Sequence, residues 1–331
     1  MTVPGVSTII TTYNRAGLLP RAIESAKKAA ADLEVVVVDD CSTDETPDVC
    51  ARIEGIRYVR LSRNQGLANA RNVGISECSS EFIAFLDDDD LWPHDKLEWQ
   101  VRYLLGNPTV GAVAGGRYWW DGVSLPSPIS SRTREIRVIT WESLFRGNPI
   151  ASPGQVLLRR SIIDRVGCLD PDIWGADDFD LWFRIARVTR FELHDRLALL
   201  YRIHNSNASH QLDRMLANTR AVIKSQVRNA PSSRTQNLVS TADRWMYDYL
   251  GRRIVERLKH EVARCDIHAV LASIRTLANF ASEGPDAELI RRMSRDLLPS
   301  RKSLRDRLPS PVVRRIRTLR RVWRRPGGDP V

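Results

Sequence analysis

The chain has 331 residues, 43% hydrophobic and 27% charged, with a formal net charge of +10. That balance excludes an intrinsically disordered chain and leaves room for one large domain with an appendage. Five scattered cysteines (Cys41, Cys50, Cys78, Cys168, Cys265) with no C-x-x-C pair suggest neither a disulfide framework nor a zinc knuckle, and fit a reducing cytosol.

The opening MTVPGVSTIITTYNR lacks the charged n-region and the apolar length of a secretory signal. No run of about 18 apolar residues follows, so neither classical secretion nor a membrane crossing is expected. Short β-rich apolar runs stand at 6–11 (VSTIIT), 34–39 (EVVVVD), 57–61 (RYVRL) and 82–86 (FIAFL). Such runs suit a parallel sheet buried on both faces. Helical patterns at 18–31, 43–53 and 66–78 separate them, which predicts a doubly wound α/β sheet with right-handed crossovers. TTYN, DDCSTDET and DDDD then fall at carboxyl ends of strands, where such sheets bind ligands.

After Pro93 a helix to about Asn107 is expected, then a strand in VGAVAGGRYWWDG and a surface loop in SLPSPISSRT. GQVLLRR reads as a strand, DDFDLWFRIARV as a helix, and FELHDRLALLYRIH as a closing pair of strands. Residues 211–298 are helical in pattern, broken at NAPSS and SEGPD. The charge is local: residues 301–331 carry eleven Lys/Arg against Asp306 and Asp329, while residues 1–300 hold 39 basic against 38 acidic. Three segments follow, an α/β domain over 1–210, a helical appendage over 211–300 and a basic tail over 301–331.

In that tail Val312, Ile316, Leu319 and Trp323 lie at helical spacing among arginines. A basic amphipathic helix over 310–325 suits an anionic membrane surface. Pro309, Pro311 and the terminal PGGDPV leave a solvated tail as the alternative, and nucleic acid is the less favoured partner.

FLDDDDLW places four adjacent carboxylates after an apolar run. Their repulsion requires either water or a cation. No G-x-G-x-x-G and no G-x-x-x-x-G-K-[ST] occurs, which weakens a dinucleotide or P-loop reading of the sheet.

Taken in order, TTYNRAGLLPRAIES, VVVVDDCSTDET, RNQGLANARNVGI, FIAFLDDDDLWPHDKL, DDFDLWFRIA and YRIHNSNAS resemble the family 2 glycosyltransferases of the GT-A fold over about residues 4–210. These are inverting enzymes that use nucleotide-diphospho-sugars. The resemblance implies that Thr11 and Tyr13 line a base pocket, with Tyr13 stacking on a pyrimidine, and that Asp40 accepts the base N3–H. An ionised carboxylate is acceptor-only and can fill that role, which favours UDP- or dTDP-sugars. Capping by Asp40 and Ser42 is the alternative. Arg71 would approach the nucleotide or its phosphates, with a helical ion pair as the alternative, and Gly66 would permit close backbone approach.

By the same resemblance Asp89 is the direct ligand to Mn2+ or Mg2+, and Asp87 or Asp88 reaches the donor ribose or sugar; Asp90 lies outside that motif and is expected to cap the helix near Pro93 rather than bind the metal. His204 would stand beside the metal and diphosphate. Asp178 aligns with the base that deprotonates the acceptor hydroxyl, and Asp177 stands beside it; which of the two is the base stays open. Trp182 would wall the acceptor site or belong to the core.

The expected enzyme is a metal-dependent, inverting hexosyltransferase-type protein. Its expected place is the cytoplasm, at the inner face of a membrane if the tail binds there, with a lipid-linked or soluble glycan acceptor in envelope, exopolysaccharide or O-antigen assembly. The rival is a non-catalytic protein of the same fold whose basic tail contacts membrane or nucleic acid.

Overall fold

A computed structural model describes residues 5–30, 33–123, 135–204, 211–228, 232–264, 266–282, 288–289 and 292–293. The amphipathic helix expected over 310–325 and the Ser/Pro-rich segment from residue 124 lie outside the described residues. The chain divides into two compact units, residues 1–144 with 148–207, and residues 145–147 with 208–331.

In the first unit the apolar runs become strands β1 (Val6–Thr12), β2 (Leu33–Asp39), β3 (Arg57–Arg60) and β4 (Phe82–Asp87). Helices α1 (Leu19–Lys28), α2 (Thr46–Ala51) and α3 (Leu67–Glu77) connect them. Then follow α4 (Lys96–Gly106), β5 (Val110–Trp120), β6 (Ile136–Val138), α5 (Trp141–Leu144), β7 (Val156–Arg159), α6 (Arg160–Val166), α7 (Asp177–Val188) and β8 (Arg190–Arg202). The sheet runs β3-β2-β1-β4-β7-β5-β8-β6.

Strands β1 to β4 pair in parallel, as their two-faced burial demands. β7 is antiparallel to both β4 and β5, and β6 is antiparallel to β8, so the sheet is mixed. One expectation is corrected: FELHDRLALLYRIH forms a single strand, not a pair. β8 runs parallel to β5 with register shifts between Ala114 and Gly116, opposite the step from Leu193 to Leu197. The polar Asp195-Arg196 step that breaks the apolar run sits in this irregularity, and Arg196 pairs with Asp95 at 2.5 Å. The bulge absorbs the extra residues and the strand continues.

α3 packs tightly over β1. A Cβ on Gly74 would come within 2.3 Å of Ile9 Cγ2, so the helix that carries Arg71 can lie this close only with glycine there. The registers Thr11 with Asp87 and Thr12 with Asp39 bring the carboxyl ends of β1, β2 and β4 to one level.

The second unit contains α8 (Leu212–Val227), α9 (Ser232–Met246), a π turn (Tyr247–Gly251), α10 (Arg252–Ala263) and α11 (Ile267–Ser282). Leu216, Ile223, Met246, Leu250, Ile254, Leu258, Ile274 and Leu277 supply its buried apolar side chains. Arg220 is buried with them and donates to the Phe280 carbonyl at 2.6 Å, beside Asp243. Among the described residues no helix is long and apolar enough to cross a membrane.

Candidate active site

The loops after β1 and β2 are stitched together at the carboxyl end of the sheet. Asn14, in the left-handed region at φ 53°, donates its backbone N–H to Ser42 Oγ at 2.9 Å and accepts the Thr43 N–H at 2.7 Å. Cys41 also has positive φ, 67°, and Asp44 accepts the Ala16 N–H at 3.1 Å. Two non-glycine residues in this region mark a backbone held by its surroundings.

Thr11 is buried near the end of β1, and Tyr13, just beyond it, is 45% exposed. Asp40 is buried, and its two oxygens accept the Gln65 N–H at 2.6 Å and the Gly66 N–H at 2.8 Å. Neither Asp40 nor Ser42 caps α2, because both are engaged with neighbouring loops. Gly66 has φ +87° and a Cβ there would meet open space, so the positive φ, more than close packing, requires glycine.

Arg71 departs from the expectation. Its guanidinium does not face open space but is buried and paired twice, with Asp87 Oδ1 at 2.7 Å and Asp177 Oδ2 at 3.0 Å. Burial works against its charge, yet Asp87 and Asp177 outweigh that and hold its pKa above the ordinary value. The other Asp87 oxygen accepts from Ser152 Oγ at 2.9 Å. Ser152 is itself fixed by a reciprocal cap with Gln155 at the short turn before β7.

In the acidic run, Arg15 Nη1 donates to Asp88 Oδ1 at 2.9 Å and to Asp89 Oδ2. That same Asp89 oxygen lies 2.9 Å from His204 Nε2, so the two residues expected at a metal meet, from positions 115 apart in the chain. Burial lifts Asp88 to about 7, with Arg15 opposing and Asp89 adding to the rise. Asp90 corrects another expectation. It caps no helix; its Oδ1 accepts the Arg202 N–H at 2.8 Å, and burial with Asp87 and Asp89 raises its pKa far above normal. Its Oδ2 is buried without a hydrogen-bond partner.

At the start of α7 the two candidate bases differ. Asp177 is buried and held by Arg71, whereas Asp178 is partly exposed and accepts only the adjacent Phe179 N–H at 2.6 Å. Burial raises both, with Arg71 opposing, and Asp177 adds to the rise at Asp178, which reaches about 7. Trp182 is fully buried with its ring centroid 5.6 Å from that of Phe191, and its Nε1–H has no partner. It is a core side chain and cannot wall an open acceptor site.

Arg15 and Ser152 belong to this cluster without having been singled out in the sequence. Arg15 stood in plain view inside TTYNRAG, but nothing local told that it would reach across to Asp88 and Asp89.

The fit of a divalent cation follows from the donors. Asp87, Asp88 and Asp89 pair with Arg15, Arg71 and His204, and one Asp90 oxygen is buried without a hydrogen-bond partner. Among the described residues no three His, Cys, Asp or Glu converge as a complete metal cage. Asp89 and His204 supply two donors, and an octahedral cation commonly completes its shell with substrate phosphates and water. The carboxylate oxygen suits Mg2+ or Mn2+. The residues therefore fit such a cation bound together with a diphosphate.

Residues 7–167 match the family described as glycosyl transferase family 2. A succinoglycan biosynthesis protein, ExoO of Rhizobium meliloti, is 45% identical over 103 residues, 30% of each chain. S. aureus TarS residues 1–349 in complex with UDP-GlcNAc superimposes with a TM-score of 0.66 at 17% identity, covering 97% of this chain and 91% of that one. A Pyrobaculum calidifontis mannosyltransferase in complex with GDP-Man and Mn2+ gives 0.56 at 22% identity, covering 97% and 87%. The fold is thus the GT-A fold of these transferases. The chain spans between 30% and 66% of the length of three curated relatives that it matches.

Proposed function

We propose, for a chain whose residues 7–167 match glycosyl transferase family 2, a metal-dependent inverting transfer of a sugar from a nucleotide-diphospho-sugar to an acceptor hydroxyl. The observation that carries this reading is the junction at Arg71. One guanidinium joins Asp87, at the end of the acidic run, to Asp177 at the start of α7. The donor half of the cluster and its base half therefore share one buried arginine.

In this reading Thr11 and Tyr13 receive the base, and Tyr13 is exposed enough to stack on it. Each Asp40 oxygen accepts one backbone N–H and keeps a second lone pair for a pyrimidine N3–H. That favours UDP or dTDP donors, in line with the UDP-GlcNAc bound by TarS. Asp87 and Asp88 reach the ribose or sugar.

A divalent cation held by Asp89 and His204 would neutralise charge developing on the leaving diphosphate. Asp178 accepts the proton of the acceptor hydroxyl as its oxygen bonds to the anomeric carbon and the bond to the diphosphate oxygen breaks on the opposite face. A base whose pKa lies near neutral is matched to this step. Arg71 and Asp177 position α7 so that Asp178 meets the hydroxyl. Arg71 thus acts through carboxylates rather than on phosphate.

The relative named for succinoglycan biosynthesis supports an acceptor in extracellular polysaccharide assembly, lipid-linked or soluble. A lipid-linked acceptor would draw the enzyme to the inner membrane face, where residues 310–325 would add electrostatic attraction. The test is release of nucleotide from UDP-, dTDP- and GDP-sugars with Mn2+ or Mg2+, for wild type and Asp89→Ala. GDP-mannose belongs in the panel because the mannosyltransferase neighbour was solved with it. One donor should be consumed only with metal, and Asp89→Ala should abolish this. Consumption of no donor by folded protein would overturn the reading.

A further inference from the structure

We propose that Asn72 is a positioning residue for the Asp178 base: it latches the loop over 167–176 that leads into α7, and so fixes where Asp178 meets the acceptor hydroxyl. The inference rests on the glycosyl-transfer reading and deepens it, because it adds to that reaction a residue that acts only through Asp178.

The segment 167–176 joins α6 to α7 and forms neither helix nor strand. A loop with no ladder of its own takes its place from the groups that its backbone meets. The Gly167 carbonyl accepts from Arg184 Nη1 at 2.9 Å, but Arg184 belongs to α7, so this contact travels with the helix and does not anchor it.

Asn72 supplies an anchor outside α7. Its Nδ2 donates to the Leu169 carbonyl at 2.8 Å, and its Oδ1 accepts the Leu169 N–H at 3.0 Å. One side-chain amide thus satisfies both backbone groups of one residue, as a neighbouring strand would. The amide fits only one way round, since the reverse would set N–H against N–H and oxygen against oxygen. Leu169 is itself buried, so the pair is held in register by packing as well.

The helix that carries this latch is closely placed. Asp40 accepts the Gln65 and Gly66 N–H groups at its start, and Gly74 lets it lie against Ile9 of β1. Arg71, the residue before Asn72, pairs with Asp177 at 3.0 Å. Adjacent residues of α3 therefore grip the entry to α7 at Leu169 and at Asp177, on either side of the loop. One ion pair alone would leave the start of α7 able to pivot about it. The two grips differ in kind: Arg71 shares its charge with Asp87, which faces the donor in the proposed reaction, whereas the amide is neutral and holds Leu169 whatever the charge there. A base works only within hydrogen-bond reach, and a displacement of about 1 Å can cost about 10²-fold in rate.

The test measures nucleotide release from the panel of UDP-, dTDP- and GDP-sugars with Mn2+, water standing in for the acceptor hydroxyl. Wild type, Asn72→Ala, Asp178→Asn and the double variant are compared, beside calorimetric binding of the nucleotide released. Asn72→Ala should lower kcat about 10- to 100-fold and leave nucleotide affinity within about twofold. In the Asp178→Asn background the same change should cost less than about twofold more, because nothing is left to position. Hydrogen exchange over 167–176 should quicken in Asn72→Ala while that of β1 and β4 stays as in wild type. Should Asn72→Ala fail to fold, Asn72→Ser serves, since one hydroxyl on a shorter stem cannot meet both groups of Leu169. Wild-type kcat in the folded variant, or losses that multiply in the double variant, would overturn the role of Asn72 and leave the glycosyl-transfer reading standing. A folded wild type that releases nucleotide from no sugar of the panel would overturn both.

Discussion

The two units each bury an arginine among carboxylates, and they balance it differently. In the helical unit Arg220 faces Asp243, a backbone carbonyl and the Phe280 ring. At the carboxyl end of the sheet, Arg15 and Arg71 face Asp87, Asp88, Asp89 and Asp177, with Asp90 and Asp178 close by. A balanced buried pair is a structural device. A cluster richer in carboxylates than in arginines is what the proposed cation-dependent site requires before its ligands arrive. The cost is visible in Asp88 and Asp178, both pushed up to about 7.

The largest expected effect separates catalysis from structure within this surplus. Asp178→Asn should slow sugar transfer by about 10²- to 10⁴-fold, the usual worth of a general base, while UDP affinity stays unchanged. Steady-state nucleotide release alongside calorimetric UDP binding checks this. Equal loss in Asp177→Asn with Asp178→Asn harmless would reverse the assignment.

Next come the two buried arginines. Arg71→Met leaves buried Asp177 and partly exposed Asp87 without their guanidinium and should destabilise the fold by about 3–5 kcal/mol, read by urea unfolding. Arg220→Met strands one carboxylate and should cost less. Adding Asp177→Asn to Arg71→Met should recover part of the loss, because one stranded charge is gone.

The dependence on pH is milder. Asp178 must be ionised to accept a proton, and its pKa is raised to about 7. Transfer at low substrate should therefore rise about tenfold per unit below pH 7 and level off above it. A raised carboxylate binds protons more tightly in the folded state, so its contribution to stability is fullest at acid pH and is lost as pH climbs toward 7. A flat rate profile from pH 5 to 8 would remove Asp178 from the base role.

The smallest effect is expected at Trp182. Trp182→Phe should leave the rate within about twofold, since the ring belongs to the core, and cost about 1–3 kcal/mol of stability. A large rise in acceptor KM without loss of stability would restore it to the acceptor site.

Much of this molecule was legible in the sequence because its information is local. VVVVD and FIAFL are apolar on both faces, and only a strand covered on both sides accommodates that. The acidic run after FIAFL and the paired Asp177-Asp178 at a helix start were visible for the same reason. Strand direction and partner are not local. Nothing in QVLLR tells that β7 inserts antiparallel between β4 and β5. Asp195-Arg196 looks like a break because its polarity is local, whereas the bulge that accommodates it is set by β5 across the sheet. Side-chain destinations were the least legible. Arg71 reads as a phosphate ligand and closes a buried bridge to Asp177, 106 positions away. Trp182 reads as a site wall only because it follows the acidic pair by one turn.

The most direct measurement of the central claim is anomalous scattering from a crystal of the full-length chain grown with Mn2+ and UDP. The surplus charge at the sheet end should be met by one Mn2+ in contact with Asp89, His204 and the UDP diphosphate. Nucleotide bound there with no Mn2+ beside Asp89, or Mn2+ bound elsewhere, would contradict it.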